Sequence, residues 1–141
     1  MDHTMLQPVV ALIGWTLVMA TWMLAVRLPA MKAAGIELGK LVGTTGAHAE
    51  RGLPPKAQWP AHNYNHLLEQ PTLFYAVCLV LTAVGPAHPF NVALAWCYVA
   101  FRVAHSLVQA TFNKVSVRFL FFVLGTLALM ALTLHAAIAV F

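Results

Sequence analysis

The sequence predicts an all-α integral membrane protein, a four-helix bundle that fills nearly all of the 141 residues. Three observations predict it. Hydrophobic residues make up 61% of the chain and charged residues 9%, with a mean hydropathy of +0.78, whereas an ordinary soluble domain is about a quarter charged. Four apolar stretches reach the roughly 20 residues that a helix needs to cross a bilayer. The breaks between them carry Pro, Gly or the polar pair Asn113-Lys114. Residues 1–141 read as a single transmembrane domain, with no soluble second domain, internal repeat or low-complexity tail.

The first helix is expected over about 6–28, with Pro8 tolerated in its first turn and Arg27 and Pro29 closing it. Its apolar run from Val9 to Val26 is longer than the apolar core of a secretion signal, about 7–15 residues, and Asp2 rather than Lys or Arg precedes it. The segment should therefore stay in the membrane. Trp15 and Trp22 read as packing or interface residues. The stretch 30–60 is the one sizeable hydrophilic loop, with a short amphipathic helix over 31–41. A second helix is expected over 61–84, ended by Gly85-Pro86 and Pro89, a third over 90–112 and a fourth over 115–141.

Eight basic residues against four acidic ones give a formal charge of +4, spread over loops and helix interiors. Nucleic acid recognition calls for a basic face, so it is excluded as a function class. Cys78 and Cys97 have no C-x-x-C relationship and lie in apolar stretches, where they read as small hydrophobes. Lys32, Lys40, Arg51, Lys56 and Lys114 fall in the first and third loops and the second has no basic residue. The bias of Lys and Arg toward cytoplasmic loops then places both termini away from the cytoplasm, in the inner membrane if the chain is bacterial.

Ionisable groups inside a membrane are costly, so each marks a functional site or an interhelical tie. On the second helix His62, His66, Glu69 and Leu73 follow one another at four, three and four residues, a single helical face, flanked by Asn63 and Asn65. Arg102, His105 and Gln109 repeat that spacing on the third helix, and Arg118 lies one turn into the fourth. With a rise of about 1.5 Å per residue, Glu69 lies roughly 12 Å in from Ala61 and Arg102 roughly 15 Å in from Phe112. Both helix ends belong to the same membrane face, so Glu69 and Arg102 are expected to form a buried ion pair. The polar stripes are longer than one tie requires, and they converge with Arg118. His62 and His66 stand at a spacing that can chelate zinc, but no H-E-x-x-H motif is present and a nearby Arg102 disfavours a divalent ion. No metal site is expected. His3, His88 and His135 lie near the opposite face or a terminus and read as incidental.

With these stripes in place the chain resembles the MAPEG family, the membrane-associated proteins of eicosanoid and glutathione metabolism. The likeness spans all four helices and is sharpest at Arg102-Val103-Ala104-His105 with Arg118 sixteen residues after Arg102. The polar start of the second helix, Ala61-His62 through Glu69 to Pro71 and Phe74, adds to it. The resemblance implies a homotrimer and glutathione as co-substrate. It assigns glutathione binding to Glu69 and His105, with Arg102 as a supporting cation, and places Arg118 at the glutathione sulfur as the catalytic residue; His66, Asn65 and His62, on the same polar stretch of the second helix, are expected as further contacts. Where the eicosanoid branch has an Arg-Asn pair, this chain has Asn65 and His66. Gln109 replaces a tyrosine, and Phe119 a small hydroxyl residue. These features place it closer to bacterial members.

The resulting expectation is a membrane enzyme of transferase or peroxidase type that activates a thiol against a lipophilic electrophile or hydroperoxide arriving from the lipid. A thiol of pKa near 8.5 needs a neighbouring cation to ionise at neutral pH, and Arg does not give up its own charge. The alternatives are a non-catalytic lipid-binding or scaffold protein on the same fold, and a small transporter in which Glu69 relays protons.

Overall fold

Behind Pro8, whose missing N–H is harmless in a first turn, the apolar stretch forms α1 (Gln7–Ala33). The structure, a computed structural model, describes residues 3–43, 45–46, 51–85 and 87–141. α1 runs through Pro29 rather than ending near Leu28. Proline removes only its own donor, and the true stop is Gly35, which takes φ +72°. There Gly35 N–H donates to the Lys32 carbonyl and Ile36 N–H to the Met31 carbonyl, the paired bonds of a glycine C-cap. The helix expected over 31–41 is therefore absent. Its first residues belong to α1, and between the cap and Leu41 the chain makes a single 3-10 turn, Leu38–Lys40, beside a Lys40–Glu37 ion pair of 2.6 Å.

The second apolar stretch also starts earlier than expected. Pro54 and Pro55 open α2 (Pro55–Leu68), because proline at the first helical position has its φ already set. α2 stops at Leu68, and α3 (Pro71–Val84) resumes after two residues, with Glu69 at φ −90°, ψ −98°. Pro71 has no N–H for the Leu67 carbonyl, and its ring crowds that carbonyl. The new helix restarts on local bonds, Thr72 N–H to the Glu69 carbonyl and Leu73 N–H to the Gln70 carbonyl. α4 (Pro89–Ala110) and α5 (Val115–Val140) complete the bundle. α4 ends two residues before its expected boundary because Asn113 turns to φ 48° and returns its N–H to the Val108 carbonyl.

Four helical segments, α1, the broken α2–α3 pair, α4 and α5, are long and apolar enough to cross a membrane. Their outward faces carry large exposed apolar side chains such as Val10, Leu17, Leu127 and Leu134, as expected where lipid is the solvent. Several threonine hydroxyls on these helices are satisfied locally: Thr16, Thr82, Thr126 and Thr133 each donate to the carbonyl four residues back.

α4 and α5 lie side by side, α1 packs along α2, and α3 leans on α5. The centre is closed by Phe74 stacked on Tyr98 at 4.4 Å between ring centres. Just above that stack the linker residue Gln70 ties three elements together. Its Nε2 donates to Thr126 Oγ1 at 2.9 Å, and its Oε1 accepts from the Tyr98 hydroxyl at 3.3 Å. α5 approaches α4 closely at Gly125, where an added Cβ would stand 3.7 Å from Phe101 Cβ and 3.8 Å from the Tyr98 ring.

That spacing leaves room for one methyl group and no more. Gly125→Ala should leave thermal unfolding in detergent almost unchanged. Gly125→Leu should displace Tyr98 and lower stability by about 1–3 kcal/mol, the usual cost of overpacking.

Candidate functional site

Sequence spacing alone puts Arg102, His105 and Gln109 on one face of α4, and that face is turned inward. The three are 0%, 3% and 3% exposed, and Ser106 beside them is 0% exposed. A fully enclosed guanidinium must find acceptors, and carbonyls that a helix has released can supply them. The break after Leu68 releases them. Arg102 Nη2 donates to the backbone carbonyl of His66 at 2.7 Å, joining α4 to the frayed end of α2.

The expected Glu69–Arg102 ion pair does not form among the described residues. The expectation assumed a continuous helix from His62 to Leu73, and the interruption at Glu69 turns its carboxylate outward. Glu69 is 66% exposed at its side chain and meets His66 Nδ1 at 3.6 Å instead. Leu73, past the break, is likewise exposed and off the face.

Around the Arg102 bond the other residues gather at one end of the bundle. The rings of His66 and His105 lie 5.7 Å apart between centres, and Phe122 of α5 closes the far side of His105 at 6.5 Å. His62, half-buried one turn earlier on α2, lies within electrostatic range of His66. Arg118 is half-buried in the first turn of α5 and its Nη1 donates to Asn113 Oδ1 at 2.7 Å. Both guanidiniums, Arg102 and Arg118, act electrostatically on His105 and on His66. The structure thus brings together His62, His66, Glu69, Arg102, His105 and Arg118. Asn65 stands apart from the buried side, exposed on α2.

Asn63 is buried in its place, 0% exposed, with both amide atoms unpartnered among the described residues, as are the Ser106 hydroxyl and Arg102 Nε and Nη1. Asn63 was legible in principle: it shares a face with Pro60 and Leu67, at three and four residues, and both are buried. Asn113 was missed as well. Its left-handed backbone makes the α4–α5 connection short, and its side chain aims Arg118.

Four membrane-crossing helices with a cationic, imidazole-lined polar cluster toward one end define an integral multi-pass membrane protein. The chain belongs to the MAPEG family, whose sequence model matches residues 5–138. No curated protein and no solved structure matches it. Members of the family generally use glutathione, in transferase and isomerase reactions.

Asn113 carries two separable duties, and substitution parts them. Asn113→Gly should keep the fold, since glycine prefers the left-handed backbone, yet loosen Arg118 by removing its acceptor. Asn113→Asp should keep both. Circular dichroism and thermal unfolding check the first duty. Nuclear magnetic resonance of ¹⁵N-labelled arginine side chains checks the second, and the Arg118 signal should change in the glycine variant alone.

Proposed function

We propose that this protein is a membrane-bound, glutathione-dependent enzyme of transferase or peroxidase type, acting on a lipophilic electrophile or hydroperoxide. The observation that carries the reading is the half-buried guanidinium of Arg118, held by Asn113 at the polar end of the bundle and within range of His66 and His105. Glutathione offers two carboxylates, an ammonium and a thiol. The cluster offers the complementary set: the cation of Arg118, the imidazoles of His62, His66 and His105, and the exposed carboxylate of Glu69 for the ammonium.

Glutathione, when bound, supplies the nucleophilic sulfur. Arg118 favours the ionised form of that sulfur, because a fixed positive charge at the edge of a low-dielectric bundle lowers the cost of the anion. His66 and His105 donate to its polar body. Arg102 is enclosed, so its part is indirect: it pins the His66 backbone and with it the imidazole and the start of Glu69. No protein nucleophile is needed, since holding two reactants together already supplies a large share of the acceleration. The electrophile enters from the lipid, and a homotrimer with both termini away from the cytoplasm completes this reading.

A second reading, a non-catalytic lipid-binding protein, is favoured by an open apolar groove of about 490 Å³ between α3 and α5, lined by Leu73, Val80, Leu129 and Val140 among others. One experiment separates the two. Purified protein in detergent is titrated with glutathione while thiolate absorbance is followed in the ultraviolet. The enzyme reading expects a saturable thiolate signal that Arg118→Ala abolishes. A folded wild type with no signal at saturating glutathione rejects it in favour of lipid binding.

A further inference from the structure

The opposite end of the bundle holds a second polar cluster, made from two histidines that look incidental in the sequence. His88 is the N-cap of α4, Asn91 stands in that helix's first turn, and His135 lies in the last turns of α5. His135 Nδ1 and Asn91 Oδ1 are hydrogen-bonded across the two helices. The Phe90 ring covers His135 at 5.5 Å, and the Phe90 backbone N–H donates to His88 Nδ1 at 3.2 Å. Two cavities of about 220 and 370 Å³ adjoin the cluster, and His88, Asn91, His135 and Ala139 line both. Met5, Leu81 and Val84 wall the smaller one, while Phe90 and Ile138 border the larger.

The hydrogen bonds already made decide what the cluster still offers. Asn91 Oδ1 can only accept, so His135 carries its proton on Nδ1 and leaves Nε2 over. His88 Nδ1 accepts from the backbone, so the neutral ring keeps its proton on Nε2 and donates there. Asn91, with its oxygen engaged, retains its amide N–H groups. The remaining donors are the His88 Nε2–H and the Asn91 amide N–H groups, and His135 holds that amide in place. No Asp or Glu among the described residues lines either cavity. The first turn of α4 also presents the positive end of a 22-residue helix. Such a set suits an oxyanion and gives a metal ion little, since His88 has no lone pair left to share. The rest of the lining is apolar, and His135 lies roughly 8 Å short of the end of α5, about the depth of the boundary between headgroups and chains.

We propose that this cleft binds the anionic headgroup of a membrane lipid, with the phosphate against His88 and the Asn91 amide, which His135 holds in place, and the acyl chain leaving past Phe90 and Ile138. The site is separate from the Arg118 cluster and stands or falls independently of the glutathione reading.

Native mass spectrometry of the full chain in detergent tests it, with short-chain phosphatidylglycerol, short-chain phosphatidylcholine, inorganic phosphate and Zn²⁺ as probes. Phosphatidylglycerol should be retained over phosphatidylcholine. His88→Ala should weaken its retention about tenfold, the usual loss for one hydrogen bond to a charged group, and His135→Phe should weaken it severalfold by freeing the Asn91 side chain. Free phosphate at the same concentration should not displace it. His88 is exposed, so its variant keeps the test meaningful if His135→Phe fails to fold. Equal retention of the two lipids, or retention of phosphatidylglycerol unchanged in His88→Ala, overturns the proposal. Displacement by free phosphate alone overturns the lipid assignment, and Zn²⁺ binding lost in both variants without lipid selectivity replaces it with a metal site.

Discussion

One buried bond organises this protein: the guanidinium of Arg102 against the carbonyl that α2 releases at His66. Each half of the pair would be expensive alone. A fully enclosed arginine in an apolar bundle needs an acceptor, and a helix broken at membrane depth leaves carbonyls that lipid cannot satisfy. The helix stops before Pro71, and Arg102 takes up the His66 carbonyl that the break leaves. The bond also sets the geometry above it. It holds the end of α2 against α4, fixes the His66 ring near His105, and leaves Glu69 at the turn, facing outward.

Below that bond the bundle is closed by neutral contacts. Gln70 lies in the linker itself and bridges Tyr98 and Thr126, so the same irregular segment that frees a carbonyl for Arg102 also sends an amide into the α4–α5 seam. Phe74 on Tyr98 seals the middle. The result is a chain with polar groups at both ends and an apolar waist between them, divided where α2 gives way to α3. The two ends differ in charge. One concentrates fixed cations, Arg102 and Arg118, with imidazoles beside them. The other gathers His88, Asn91 and His135, with no arginine or lysine lining its cavities among the described residues.

The helices were legible because hydropathy decides them over stretches of about 20 residues, where local signals hardly matter. Their boundaries were not, because proline punctuates ambiguously. Pro29 lies inside α1, Pro55 opens α2, and Pro71 breaks a helix that the pattern showed as continuous. Gly35 was the better stop signal, since only a residue at ease with positive φ closes a helix in that way. On α4 the stripe Arg102, His105, Gln109 was fully legible, because α4 is unbroken and a face defined by three- and four-residue steps stays a face. On α2 the same rule holds as far as His66 and fails past it, so Glu69 left the pair assigned to it. Asn65 is exposed, whereas burial belongs to Asn63, whose phase follows Pro60 and Leu67. That His88 and His135 line the same cavities was out of reach, because 47 positions separate them in the chain and only the side-by-side packing of α4 and α5 brings them together.

The most direct test observes the carbonyl itself. Protein labelled with ¹³C at histidine carbonyls is compared, wild type against Arg102→Met, by isotope-edited infrared spectroscopy in detergent. A carbonyl that accepts from a guanidinium absorbs at lower frequency than one left bare in an apolar surrounding. If Arg102 holds the break, the wild type shows one low-frequency component that moves up in Arg102→Met, with the other histidine carbonyls unmoved. Superimposable spectra from two equally folded proteins would contradict it, and would mean that the break in the second membrane helix holds without Arg102.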